Sequence, residues 1–220
     1  MQSQGFSMTH EKPGERSRSP NVKRLKLQVR FILECDKLKR VKRRTRLLDR
    51  SRRENSAEHS WHLALMALLL SEHASPAKLD LPKVIQMLLI HDLVEIEVGD
   101  LFLYDESIQR EKAVQERRAA ANFFSMLPSD QCRKLQSLWE EFETRRTPEA
   151  RFAAALDRFQ PLLHNYYTEG AAWRRHGVTS NQVLQVNRRI SEGSPVIWEF
   201  ARKLIHDSIR KGYLPEPKGK

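Results

Sequence analysis

Residues 54–74 read ENSAEHSWHLALMALLLSEHA, and the helical reading of this stretch decides the fold. Asn55, followed three residues later by Glu58, forms a capping box, in which each side chain serves the other's backbone amide at a helix start. Beyond it, apolar residues fall almost all round a wheel of 100° per residue, which predicts a buried helix. His59 lies in line with Leu63, Met66 and Leu70, near the middle of one apolar face. A histidine there must be partnered.

The same pattern extends on both sides. Asp80 with Pro82 behind it starts a second helix, which runs through VIQMLLIHDLVEIE to a stop at Gly99. Asp92 and Glu95 project within its stripe of Leu81, Val84, Ile85 and Leu88, with His91 at the margin. A third intrusion is Asp157 in RFAAALDRFQPLLHNYY: its face carries Ala150, Ala153, Ala154 and Pro161, small enough for another helix or a metal to come close. Helical spacing of Leu25, Val29 and Ile32, with Phe31, Cys35 and Leu38, predicts a helix from Val22 running into KRVKRRTR at 39–46. Further helices are expected over about 107–127, 129–143, 147–167, 180–191 and 194–211, each with a Ser or Thr at a plausible cap. No segment alternates like a half-buried strand. The expected fold is all-α, a single helical domain over 21–214 between a disordered tail (1–20) and a flexible C-terminus (215–220).

Composition narrows the function. The longest apolar run, Leu63 to Leu70, is too short to span a bilayer, and the two cysteines, Cys35 and Cys132, form no CxxC pair. A cytoplasmic, reduced chain is expected. Residues 1–53 carry 17 Lys and Arg against 5 Asp and Glu, so the net charge of +11 is entirely N-terminal. A nucleic-acid patch is one reading of that excess. No aromatics interleave it between Phe31 and Trp61, which favours a solvated helix end with one or two Arg facing a small anion.

No GxGxxG, GxxxxGK or GxSxG is present. What remains is His59, the pair His91-Asp92, and Asp157: two imidazoles and two carboxylates from three helices. Mixed N/O ligation suits Mn, Fe, Co, Ni or Zn rather than the oxygen shells of Mg and Ca. His62, in HxxH spacing with His59, is the best substitute ligand, and His164 could orient one. A second pair, His206-Asp207, falls among Lys203, Arg210 and Lys211 on a solvated face.

The order of EHS at 58–60, HDLVE at 91–95, Gly99-Asp100 and a late Asp in an Ala-rich helix resembles the HD superfamily of metal-dependent phosphohydrolases. REN-SAEHS followed by HDxxE-x4-D is most similar to its bacterial 5'-deoxynucleotidase branch. The resemblance covers roughly residues 25–210. It implies an HD-domain bundle in which His59, His91, Asp92 and Asp157 hold one divalent transition metal, with Glu95 as acid/base, Asp100 as a second catalytic polar group and Arg44 as a phosphate contact. It further implies hydrolysis of nucleoside 5'-monophosphates by a metal-activated water, and no membrane partner. In that branch the Arg is usually followed by a Trp that helps judge the sugar; Thr45 stands here, which removes that basis for deoxyribose selectivity. The alternatives are a nucleic-acid-binding or regulatory protein on the same scaffold, or a hydrolase of polyphosphorylated guanosine alarmones. The near-all-round apolar helix that opens at Asn55 leaves room for a homodimer partner.

Overall fold

Phe31 anchors the first helix. α1 (Val22–Cys35) turns this ring onto Phe123 and Phe124 of a later helix, at centroid distances of 5.0 and 6.3 Å. The computed structural model describes residues 22–100 and 109–215. The predicted tail, nearly all of the predicted C-terminus and the first residues of the helix expected from about 107 lie outside them.

The basic stretch departs from the helical expectation. α1 ends at Cys35, a 3-10 turn covers Asp36–Arg40, and β1 (Lys42–Arg46) then pairs antiparallel with β2 (Arg53–Asn55). Lys42 faces Asn55 and Arg46 faces Arg53, so the longer strand bulges. Alternation explains the outcome. A strand sends Arg43 and Thr45 inward and leaves Lys42 and Arg44 exposed, a partition by parity that a helix would not give.

α2 (Ser56–Leu70) begins at the expected capping box, Asn55 Oδ1 accepting from Glu58 N at 3.0 Å and Glu58 Oε2 from Asn55 N at 3.1 Å. It is not buried all round: His59, Leu63, Met66 and Ala67 face the core, while Trp61, Leu65, Leu68 and Leu69 are exposed. α3 (Leu81–Ile90) starts on Asp80, whose side chain accepts from Lys83 N. The helix predicted to continue to Gly99 tightens instead into a 3-10 turn at His91–Val94 before α4 (Glu95–Val98). Near three residues per turn, Asp92 and Glu95 stack on one line and His91 is drawn into the interior.

α5 (Gln109–Phe124) and α6 (Ser129–Thr144) flank this turn, and α7 (Pro148–Tyr167) forms the spine, packing on α2, α3 and α6. It runs unbroken through Pro161. α8 (Ala171–Arg175), α9 (Ser180–Asn187), α10 (Ile190–Gly193) and α11 (Pro195–Arg210) close the bundle. α10 crosses α7 so closely that a Cβ on Gly193 would lie 2.4 Å from the Arg151 carbonyl oxygen, so only glycine fits. The described part of the chain is all-α apart from the small hairpin, which the sequence reading missed.

Candidate metal centre

Two helix segments present their imidazoles to each other. His59, on the buried side of α2, donates Nδ1–H to Gln160 Oε1 at 3.1 Å; His91 donates Nδ1–H to the Leu88 carbonyl at 2.9 Å. Each ring therefore turns its Nε2 toward the same point. The His91 backbone is pinned by Trp139, whose Nε1–H donates to its carbonyl at 3.2 Å, and its ring leans on Phe142 at 4.9 Å. His91 Nε2 is buried and makes no hydrogen bond, though Asp92 Oδ1 lies 3.0 Å away and Asp157 Oδ1 3.6 Å.

Asp157 arrives on the Ala-rich face of α7, its Oδ1 2.9 Å from His59 Nε2. His59, His91 and Asp157 each offer a ligand atom within 4.8 Å of the others, and Asp92 Oδ2 lies 4.0 Å from His59 Nε2. The four residues singled out as ligands are thus brought together. The donor set fits a divalent ion, because a desolvated imidazole nitrogen with no hydrogen bond is costly unless something accepts its lone pair. Burial alone would push His91 down, but the charges of Asp92 and Asp157 carry it up to about 9; burial, then Arg43, push His59 down. Against burial, contacts with His59 and His91 hold Asp157 well below the usual carboxylate range.

The sequence reading missed Arg43. Its Nη1 donates to Asp92 Oδ2 at 2.7 Å and its Nη2 lies 4.0 Å from Asp157 Oδ1. Arg44 is also at the site, since both arginines line a cavity of about 220 Å³ with His91, Asp92, Glu95 and Asp157. Asp100 lines the same cavity. Strand parity is the signal that would have separated the two arginines, and it is readable only once the hairpin is known.

Glu95 stands one turn beyond His91 and accepts a hydrogen bond from Ser56 Oγ at 2.7 Å. Burial first, and Asp92 second, push its carboxyl up to about 8. Sequence reading did not single out Ser56, which follows the Asn55 cap directly.

His62 and His164 lie behind His59 with Glu54 and Gln160 rather than among the ligands; burial pushes His164 down to about 4. The pair His206-Asp207 is remote, as expected: Asp207 accepts from Tyr166 Oη at 2.6 Å and pairs with Lys211 at 2.7 Å, and His206 is exposed.

The chain is 30% identical over 136 residues to the 5'-deoxynucleotidase HDDC2 of Homo sapiens and 32% identical over 137 residues to that of Mus musculus, in each case 61% of this chain. The matches span 65% and 66% of those relatives' lengths. Among solved structures, a predicted metal-dependent phosphohydrolase from Magnetospirillum magnetotacticum MS-1 is 51% identical with a TM-score of 0.82, covering 87% of this chain and 96% of that one. The model of the HD domain matches residues 35–198, from the end of α1 into α11, and so takes in every residue of the centre; the chain belongs to the HD domain family.

Proposed function

We propose that the chain is a metal-dependent phosphohydrolase that releases phosphate from nucleoside 5'-monophosphates, holding one divalent transition ion with His59, His91, Asp92 and Asp157. The observation that carries this reading is the buried Nε2 of His91, without a hydrogen bond and aimed at Asp157 and the Nε2 of His59. Mn, Fe, Co, Ni and Zn all accept such a donor set. An ion bound there supplies Lewis acidity to water and to a phosphoryl oxygen. No helix among the described residues is long and apolar enough to cross a membrane.

The chain's own groups do the rest. Glu95, with Oε2 occupied by Ser56, keeps its other oxygen for taking a proton from the attacking water or returning one to the leaving alcohol. Asp100 adds a polar group at the cavity wall. Arg43 and Arg44 neutralise the phosphate as charge shifts between its oxygens. Thr45 gives its hydroxyl to Glu54 at 3.2 Å, so the sugar meets no aromatic wall at that position.

A small anion suits the basic segment better than a polymer does. Arg24 pairs with Asp130, Arg50 with Glu169 and Arg52 with Glu58, so part of its excess charge is answered within the chain. Phosphate release across nucleoside mono-, di- and polyphosphates with several divalent ions tests the assignment. Monophosphates are expected to dominate; preference for polyphosphorylated guanosine would move the chain to alarmone hydrolysis, and no release at all would favour a binding role.

The two arginines can be separated. Arg43→Ala is expected to lower kcat/KM by about 10- to 100-fold, the scale of a lost charge-assisted hydrogen bond, and Arg44→Ala by less. If Arg44→Ala costs more, the phosphate contact implied by the family resemblance stands and Arg43 is only a partner for Asp92.

A further inference from the structure

Behind His59 lies a buried cluster that takes no part in the proposed chemistry. Gln160, Glu54 and His59 are at most 1% exposed, so no water competes for their hydrogen bonds. We propose that Gln160 is a positioning residue that sets the tautomer of His59, and that the β-hairpin sets Gln160. The inference rests on His59 being a metal ligand, as proposed above.

Groups that can only accept fix the hydrogens in this cluster. The Arg46 carbonyl in β1 lies 3.0 Å from His164 Nδ1, so this nitrogen carries the hydrogen and His164 Nε2 the lone pair. That lone pair is 3.0 Å from Gln160 Nε2, and Glu54 Oε1, in β2, is 2.7 Å from the same nitrogen. Two acceptors on one side fix the amide: flipping it would set its oxygen against a carboxylate. Gln160 Oε1 must then face His59 Nδ1, at 3.1 Å, and must receive its hydrogen. His59 Nε2 is left facing the metal centre, 2.9 Å from Asp157 Oδ1. His91 gets the same tautomer from Leu88 within its own turn, whereas His59 depends on α7 and both strands.

Glu54, His62 and His164 could themselves hold an ion, since their ligand atoms lie within 4.8 Å of one another. The Gln160 amide nitrogen already stands 2.7, 3.4 and 3.0 Å from those three residues' donor atoms, where an ion would be. An N–H donor fills the position, which assigns the cluster to orientation.

Nitrogen-resolved imidazole NMR of the metal-free protein tests this, with His59 signals identified by their loss in His59→Asn. Wild type is expected to show His59 protonated at Nδ1. Gln160→Met, which removes the acceptor at similar volume, is expected to shift His59 toward the Nε2–H form and to weaken Mn²⁺ binding by about 10- to 100-fold. Gln160→Glu keeps an acceptor and is expected to restore both. A Met variant with wild-type tautomer and affinity would overturn the proposal, as would two ions bound per wild-type chain. Should that variant not fold, the wild-type spectrum decides, a His59 without hydrogen on Nδ1 being the contrary result. Failure of the ligand assignment reads differently: His59→Asn would then bind Mn²⁺ as tightly as wild type, whatever the tautomer.

Discussion

Glu95→Gln lowers turnover by about 10² to 10⁴, the usual contribution of a positioned acid or base, while metal content stays near that of wild type. The substitution preserves shape and the acceptor for Ser56 Oγ–H, so only the proton chemistry is removed. Stability supplies the control. In the metal-free protein the Glu95 pKa is raised to about 8, so its contribution to stability is present below about pH 4.5 and fades as pH climbs through 8. Gln carries no such penalty, and the metal-free variant is expected to be at least as stable as wild type at pH 8–9. Loss of metal in the variant would make Glu95 a ligand; unchanged turnover would pass the proton role to Asp100.

His91→Ala abolishes stoichiometric metal binding, and His206→Ala does not, because only the first takes away a buried ligand nitrogen. In wild type a proton is held on His91 up to about pH 9, and an incoming ion must displace it. Apparent affinity should therefore rise about tenfold per pH unit between neutrality and pH 9 for one proton released. Chelation should lower the Tm: an ion present at about 100 times its Kd contributes roughly 2.7 kcal/mol, or about 5–10 °C for a domain of this size. Both variants holding metal like wild type would dissolve the ligand set.

The ligands were legible because each breaks a local pattern. An imidazole at 59 and carboxylates at 92 and 157 inside apolar stripes are energetically anomalous in the sequence itself, and helix periodicity sets which of them share a face. The caps at Asn55, Asp80, Thr147 and Ser194 were legible for the same reason, since capping is settled within four residues. Arg43 and Gln160 were not. KRRTR has no apolar alternation to announce a strand, and it becomes one by covering Glu54 and the α7 surface, a contact made across more than a hundred residues. His91 fell at the margin of its stripe because a regular 3.6-residue turn was assumed where the chain adopts a tighter one.

The hairpin has a kinetic consequence. Two strands this short are marginal alone; Leu47 N–H to the Arg52 carbonyl at 3.0 Å and Ser56 N–H to the Val41 carbonyl at 3.1 Å extend the ladder, and the Arg53 side chain clasps the Lys42 carbonyl at 2.7 Å. Such an element opens at far lower free energy than the helices behind it, so amides of 42–46 should exchange with deuterium well before those of α7, and more slowly once an ion is bound. Each opening would withdraw Arg43 from the cavity and the Arg46 carbonyl from His164 in one motion. Ion escape would then follow the breathing rate of the hairpin, leaving the bundle intact, and the chain could shed and regain its metal many times without unfolding.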